Sequence, residues 1–285
     1  MMVLVLKKGL YLMGCFDGIL ICTDLDGTLY RNDKSVSKEN LAAIEFFKKE
    51  GGYFTFITGR MPYYAGNALK LIEPNAPFGC INGGGLYDHI KGEYVWNTEL
   101  DRKAFELVEY IERLYPTVGI QVSAFYYTFF HRYNDAMENF RAVAALPDIQ
   151  CHYREVTEPV GKVIFATFDE EEIQGVERAL RSHPLAGEFD FIRSERTLFE
   201  ILPKGVSKGV SITKLSEHLK IDVSKTVAVG DYNNDVPMLL AAGLGVAVGN
   251  ACQAAKEAAD LVTVTNEEDA IAKIIYDIRD GKIAL

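Results

Sequence analysis

The 285-residue chain has few cysteines and none in a pattern: Cys15, Cys22, Cys80, Cys151 and Cys252 are odd in number, far apart and without a CxxC pair. That excludes a disulfide framework, offers no zinc ligand set and fits a reducing cytoplasm. Basic residues are scarce as well. With 30 Lys and Arg against 40 Asp and Glu, the formal charge is −10 and the pI is near 5.1. A general affinity for nucleic acid or an anionic membrane surface is therefore not expected, because either must be met by clustered cations. No run of about 20 apolar residues occurs that could span a bilayer. The apolar opening MMVLVLKKGLYLMGCF is broken at Lys7 and Lys8 and has no signal-peptide core. It reads as an extension, with Met13 as an alternative start. Repeats and low-complexity segments are also missing. Hydrophobic residues, at 48%, suffice for a large core, and the length suits two domains.

Short apolar runs alternate with helical patterns at both ends of the chain. ILICTD (19–24) precedes a helix from about Ser37, a good N-cap, with Leu41, Ile44 and Phe47 on one face and Gly51 to end it. GYFTFITGR then supplies another buried strand with a polar end. The same pattern returns in TVAVGDYNND (226–235), GLGVAVGN (243–250) and ADLVTVT (259–265), before a last helix through Ile271, Ile274 and Ile275. Continuously apolar strands at this spacing predict a doubly wound parallel α/β sheet. The middle reads differently. A helix through Leu100, Ala104, Leu107, Ile111 and Leu114, stopped by Pro116, is followed by strands at GIQV, SAFYYTFF, GKVIFATF, FDFIR and TLFEIL and a helix near EEIQGVERALRSH. Adjacent strands with only two or three helices predict an inserted antiparallel α+β layer, expected over 86–198, with 1–85 and 199–285 forming the core.

Candidate chemistry gathers at the strand ends. In DLDGTL, residues two apart in a strand point the same way, so Asp24 and Asp26 can both stand beyond the carboxyl edge of the sheet, with Gly27 allowing a sharp turn. Two carboxylates so close repel each other, and an oxygen-only donor set calls for a cation such as Mg2+. Thr58-Gly59-Arg60 ends the second strand with a hydroxyl and backbone N–H groups, an anion site in kind. Lys208 follows the expected N-cap Ser207, where a cation opposes the helix macrodipole, so an anionic partner is expected beside it. GDYNND adds Asp231, Asn234 and Asp235 at the same edge. Each piece read singly is also an ordinary turn signal; together they amount to equipment for moving a phosphoryl group. The aromatic run FYYTFFHRY (125–133) is expected to fill a core, and the five histidines show no metal spacing.

DLDGTL, ITGR, the lysine of GVSKG and GDYNND stand in the order and spacing of the haloacid dehalogenase superfamily. INGG after the second strand and EILPKGVSKG resemble its Cof-type sugar phosphatase branch. The resemblance runs over nearly the whole chain after residue 18, although GGG at 83–85 is richer in glycine than the usual NGA. It implies Asp24 as nucleophile, Asp26 as general acid and base, and Thr58 and Lys208 as phosphate-binding residues, with Leu25, Gly59 and Asn234 beside them. Asp231 would be the third Mg2+ ligand, with the Asp24 carboxylate and the Asp26 backbone carbonyl, and Asp235 a support behind it. Asn82, Gly83 and Arg60 are candidates for substrate contact. The insertion resembles the large cap that selects the leaving group in this branch. The expected activity is Mg2+-dependent hydrolysis of a small phosphorylated metabolite, a sugar phosphate above all, through an aspartyl-phosphate. A hexose phosphate phosphomutase and a non-catalytic sensor of phosphometabolites are the alternatives. A cytoplasmic monomer or weak homodimer is expected.

Overall fold

The computed structural model describes residues 3–5, 10–12 and 14–285; Met13 lies outside them. In chain order, the first part contains β1 (Val3–Val5), β2 (Leu10–Leu12), β3 (Leu20–Thr23), α1 (Lys38–Lys49), β4 (Tyr53–Phe56), α2 (Gly66–Ile72), β5 (Phe78–Cys80), β6 (Gly85–Asp88) and β7 (Glu93–Asn97). The middle holds α3 (Ala104–Leu114), β8 (Gly119–Ala124), β9 (Thr128–Arg132), α4 (Asp135–Val143), β10 (Val160–Ala166), α5 (Glu170–Arg181), β11 (Phe189–Glu195) and β12 (Leu198–Pro203). The chain closes with α6 (Lys208–Leu219), β13 (Thr226–Gly230), α7 (Val236–Ala241), β14 (Leu244–Ala247), α8 (Gln253–Ala258), β15 (Leu261–Val262) and α9 (Ala270–Arg279). Among the described residues no helix is long and apolar enough to cross a membrane.

The expected α/β core is present as a five-stranded sheet in the order β15-β14-β13-β3-β4, every pairing parallel. Its central strands β3 and β13 are wholly buried, which is why they read as unbroken apolar runs. Ser37 caps α1 as expected, its hydroxyl accepting from Asn40 N, and Asn40 in turn accepts from Ala272 N to tie α9 to α1. The strand order reverses between β3 and β13. Successive crossovers run one way from β3 to β4 and the other way from β13 to β15, so the carboxyl ends of these two neighbours form the topological switch point.

The second layer is a five-stranded antiparallel sheet, β11-β12-β10-β8-β9. Alternation along β10 divides its side chains. Val163 and Phe165 join one hydrophobic cluster with Leu107 and Ile111 of α3 and Ile173 and Val176 of α5. Ile164 and Ala166 join another with Met137 of α4, against which Tyr64 of the core packs. The second face is thus the one turned toward the core.

Several boundaries differ from the sequence reading. The β6–β7 hairpin pairs with β5, and Leu86, Tyr87, Tyr94, Val95 and Trp96 pack into the core cluster. TLFEIL lies in the antiparallel sheet as read, but its strand β12 runs to Pro203, past the expected edge at 198. Hydrophobic packing therefore changes hands near Leu100 and Pro203, not at 86 and 198, because a hairpin follows its strand partner and not its distance along the chain. Leu100 is buried ahead of α3, while Leu114, its last residue, is exposed. The aromatic run is split by a turn: Phe125 and Phe130 are buried, Tyr126 and Tyr127 exposed.

Candidate active site

Asp24 leaves the end of β3 at the switch point, its backbone N–H donating to Val229 O of β13 at 2.9 Å. The side chain is buried. Lys208 Nζ donates to Asp24 Oδ1 at 2.6 Å and to Asp235 Oδ1 at 2.5 Å. The ammonium is only 1% exposed. The anionic partners expected for a cation in the first turn of α6 are thus two protein carboxylates. Ser207 stands at the N-cap as expected, but its side chain makes no capping bond.

Asp231 follows β13. Carboxylate oxygens of Asp24, Asp231 and Asp235 lie within 4.8 Å of one another. The second oxygen of Asp235 accepts from the backbone N–H groups of Asp231 and Tyr232 at 2.9 and 3.0 Å. Both its oxygens are therefore engaged by the protein, which leaves it a support for the loop and for Lys208. Thr28 Oγ1 donates to Asp231 Oδ1 at 2.7 Å. Gly27, at φ +80°, passes so close that a Cβ there would sit 2.5 Å from Asp231 Oδ2. That close approach and the positive φ together demand glycine.

Three carboxylates face a single ammonium, so charge is unbalanced. Burial pushes the Asp231 carboxyl up to about 6, with the Asp235 charge adding to it, against the pull of Thr28 and Lys208. Asp24 is likewise pushed above the usual carboxylate range by burial, partly offset by Lys208 and reinforced by Asp235 and Asp231. Burial alone would lower Lys208, yet Asp235 and Asp24 outweigh it and hold the ammonium charged. An all-oxygen, net-negative cluster of this kind fits a hard divalent cation.

The model of the haloacid dehalogenase-like hydrolases matches residues 21–275. The chain belongs to that family. Among similar proteins, a 5-amino-6-(5-phospho-D-ribitylamino)uracil phosphatase of Bacillus subtilis is 29% identical over 268 residues, covering 90% of this chain and 96% of the relative. A haloacid dehalogenase-like hydrolase of Bacteroides thetaiotaomicron, solved by crystallography, superposes with a TM-score of 0.79 at 26% identity, covering 91% of this chain and 99% of the other. A structure described as the subclass IIB sugar phosphatase BT4131 gives a TM-score of 0.78 at 21% identity, covering 93% of this chain and all of that one, and so speaks for the fold. The expected superfamily membership is borne out.

The remaining predicted residues of this haloacid dehalogenase-like hydrolase are distributed unevenly. Asp26 does not join the carboxylate cluster. Its side chain turns to Arg60, at 2.8 Å, and Lys34, at 2.9 Å. Burial acts to raise its pKa, but these two cations outweigh it and hold the carboxyl below the usual range. Leu25 is buried, its carbonyl accepting from Tyr30 N at 2.8 Å. Thr58, buried after β4, accepts from Arg60 N at 3.2 Å through its hydroxyl. Arg60 is therefore a neighbour of Asp26 and Thr58 at the mouth of the site.

Asn82 and Gly83, expected at the substrate, are buried in the frame of the site. Asn82 is fully buried, donating to Glu200 Oε2 at 2.9 Å and accepting from Asn234 Nδ2 at 3.4 Å. Gly83, at φ +94°, runs against α6 so tightly that a Cβ would lie 1.8 Å from Ser207 O. That contact forbids any other residue. Three participants are absent from the expected set. Thr28 lies inside the DLDGTL string, where its hydroxyl was the signal. Lys162 and Glu200, 2.8 Å apart and both 2% exposed, were signalled only as charges inside otherwise apolar strands, GKVIFATF and TLFEIL.

Proposed function

We propose that the protein is a Mg2+-dependent phosphatase of small phosphorylated metabolites, sugar phosphates first among them, acting through an aspartyl-phosphate on Asp24 in the cytoplasm. The observation that carries this reading is the buried Asp24 carboxylate held 2.6 Å from the Lys208 ammonium at the switch point of the parallel sheet. A nucleophilic carboxylate must be aimed and ionised, and the Lys208 ammonium orients Asp24 and favours its ionised form against the burial that raises its pKa. The related phosphatase of B. subtilis is named for a phosphorylated ribitylamino compound, a phosphate ester of a polyol chain, which supports that substrate class.

The Asp24 and Asp231 carboxylates and the Asp26 backbone carbonyl are the groups that would hold Mg2+. Bound there, the ion offsets charge on the phosphoryl oxygens. The Asp24 carboxylate attacks phosphorus in line, and the bond from phosphorus to the leaving oxygen breaks as Asp26 gives that oxygen a proton. Asp26 then takes a proton from the water that attacks the aspartyl-phosphate, and inorganic phosphate leaves with Asp24 restored. Before substrate binds, Asp26 is ionised between Arg60 and Lys34. The phosphoryl charge competes for those two cations, and their release lets the carboxyl carry a proton. Lys208, Thr58, Asn234 and the loop N–H groups spread the charge of the equatorial oxygens.

The test is phosphate release from a panel of sugar phosphates, phosphorylated polyol amines and p-nitrophenyl phosphate, with the wild type and Asp24→Asn. The wild type should hydrolyse several esters, and the variant should fold normally and release nothing. Wild-type rates from Asp24→Asn, or no hydrolysis by the wild type with Mg2+, would refute the reading. Conversion of hexose 1-phosphate to hexose 6-phosphate without free phosphate would make it a mutase.

A further inference from the structure

On the core-facing side of the antiparallel sheet, Lys162 of β10 and Glu200 of β12 form an ion pair that neither hydrophobic cluster explains. Both reach across to the core. Lys162 Nζ donates to Glu200 Oε2 at 2.8 Å and to the backbone carbonyl of Gly59 at 3.0 Å. The same Glu200 oxygen accepts from Asn82 Nδ2 at 2.9 Å. Asn82 in turn is bonded through its backbone N–H to Thr58 O at 3.1 Å and through its side-chain oxygen to Asn234 Nδ2.

We propose that Lys162 and Glu200 are positioning residues that set the phosphate-binding loop Thr58–Arg60 from the cap side, so that the cap sheet builds part of the phosphate site as well as covering it. The proposal rests on the phosphatase reading above. Its physical case has three steps. A buried ion pair is a poor source of stability, since apolar residues of similar volume often do as well, so its retention calls for a geometric role. The groups it engages are the ones that need holding: Ile81 and Asn82 have φ of +56° and +53°, a left-handed pair of non-glycine residues that persists only where its surroundings over-determine it. Gly59 is so close to the Asn82 amide that a Cβ would lie 2.9 Å from Oδ1, so a shift of Asn82 moves the loop on one side and Asn234 on the other. Two residues proposed to meet phosphate, Thr58 and Asn234, thus depend on one amide that Glu200 aims, while Lys162 pins the carbonyl between Thr58 and Arg60.

The experiment compares wild type with Lys162→Met/Glu200→Met, which removes both charges at once and leaves no buried charge unpaired. Readouts are circular dichroism, inhibition of p-nitrophenyl phosphate hydrolysis by inorganic phosphate, and kcat and KM for several sugar phosphates. The folded double variant should show inorganic phosphate inhibiting about 10- to 100-fold more weakly, with kcat/KM falling in common for all substrates and their ranking kept. A purely structural pair would lower the melting temperature and leave phosphate affinity unchanged, and that result would overturn the proposal. If the double variant does not fold, Glu200→Asp decides, because it keeps both charges and shortens the reach to Asn82. Weakened phosphate inhibition at near wild-type melting temperature supports the role, and unchanged inhibition refutes it. A wild type that hydrolyses no phosphate ester would refute the function reading, a result distinct from either.

Discussion

Replacing Lys208 by Met puts the electrostatics of the site to a quantitative test. The ammonium is 1% exposed and lies 2.6 Å from Asp24 and 2.5 Å from Asp235, so nothing in the solvent screens the pair. Deleting one partner of a buried ion pair leaves an uncompensated buried charge and costs about 3–5 kcal/mol. For a chain of this size that is a fall of about 6–20 °C in melting temperature. The carboxylates can soften the loss by taking up protons, since burial already pushes Asp24 upward. Mg2+ should therefore raise the melting temperature of Lys208→Met more than that of the wild type, because it supplies the missing positive charge. Activity should fall further than stability: loss of a preorganised charge at the reacting oxygens costs about 3–4 kcal/mol, or 10²–10³ in kcat. The assays are thermal unfolding with and without Mg2+ and steady-state hydrolysis of p-nitrophenyl phosphate. A folded variant whose kcat stays within about tenfold of wild type, or whose stability gains nothing extra from Mg2+, would show that Lys208 is not the charge on which Asp24 depends.

Activity should vanish in EDTA, return with Mg2+ and be inhibited by Ca2+, whose larger and looser coordination shell suits in-line attack less well; full turnover by metal-free protein would contradict the carboxylate cage. The metal should also bind more tightly as pH rises. In the metal-free protein Asp231 is pushed up to about 6, above its unfolded value, so its stabilising contribution is complete below about pH 4 and is lost as pH climbs through about 6. A cation takes only the ionised form, so the Mg2+-induced rise in melting temperature should grow over the same window, and an equal or larger rise at pH 5 than at pH 7.5 would refute this. Replacing residues 99–205 by a Gly/Ser linker should leave a core that hydrolyses p-nitrophenyl phosphate slowly and no longer ranks sugar phosphates, once circular dichroism shows it folded; a preserved ranking would move selectivity into the core.

The parts of the site that were legible in the sequence are those in which one short stretch carries the whole message. DLDGTL announces its two carboxylates because strand geometry, turn chemistry and charge repulsion all act within a few residues. Lys208 was legible through a local conflict, a cation where the helix macrodipole disfavours one, and the structure resolves the conflict with two carboxylates. The parallel sheet was legible for the same reason, since burial of β3 and β13 on both faces leaves a local apolar signature. The edges of the inserted layer were not, because β6 and β7 take their place from pairing with β5, and β12 from pairing with β10 and β11.

Pairwise dependence also explains what was not legible within the site. Asp26 looked like a member of a carboxylate pair, but Arg60 and Lys34 compete for it, and the distance of either from the DLDGTL string says nothing of that. Asn82 and Gly83 carry no local sign of burial, and the approach of α6 and of the antiparallel sheet is what buries both. Lys162 and Glu200 stand 38 residues apart, each an isolated charge in an apolar strand, and each would be ruinous there alone. Only the antiparallel register, with Glu200 opposite Ile164 and so on the same face as Lys162, makes the two charges one feature. A lone charge in a buried strand is therefore a signal in its own right: it predicts a partner on a neighbouring strand, and here the pair sits where the antiparallel sheet meets the turn Thr58–Arg60.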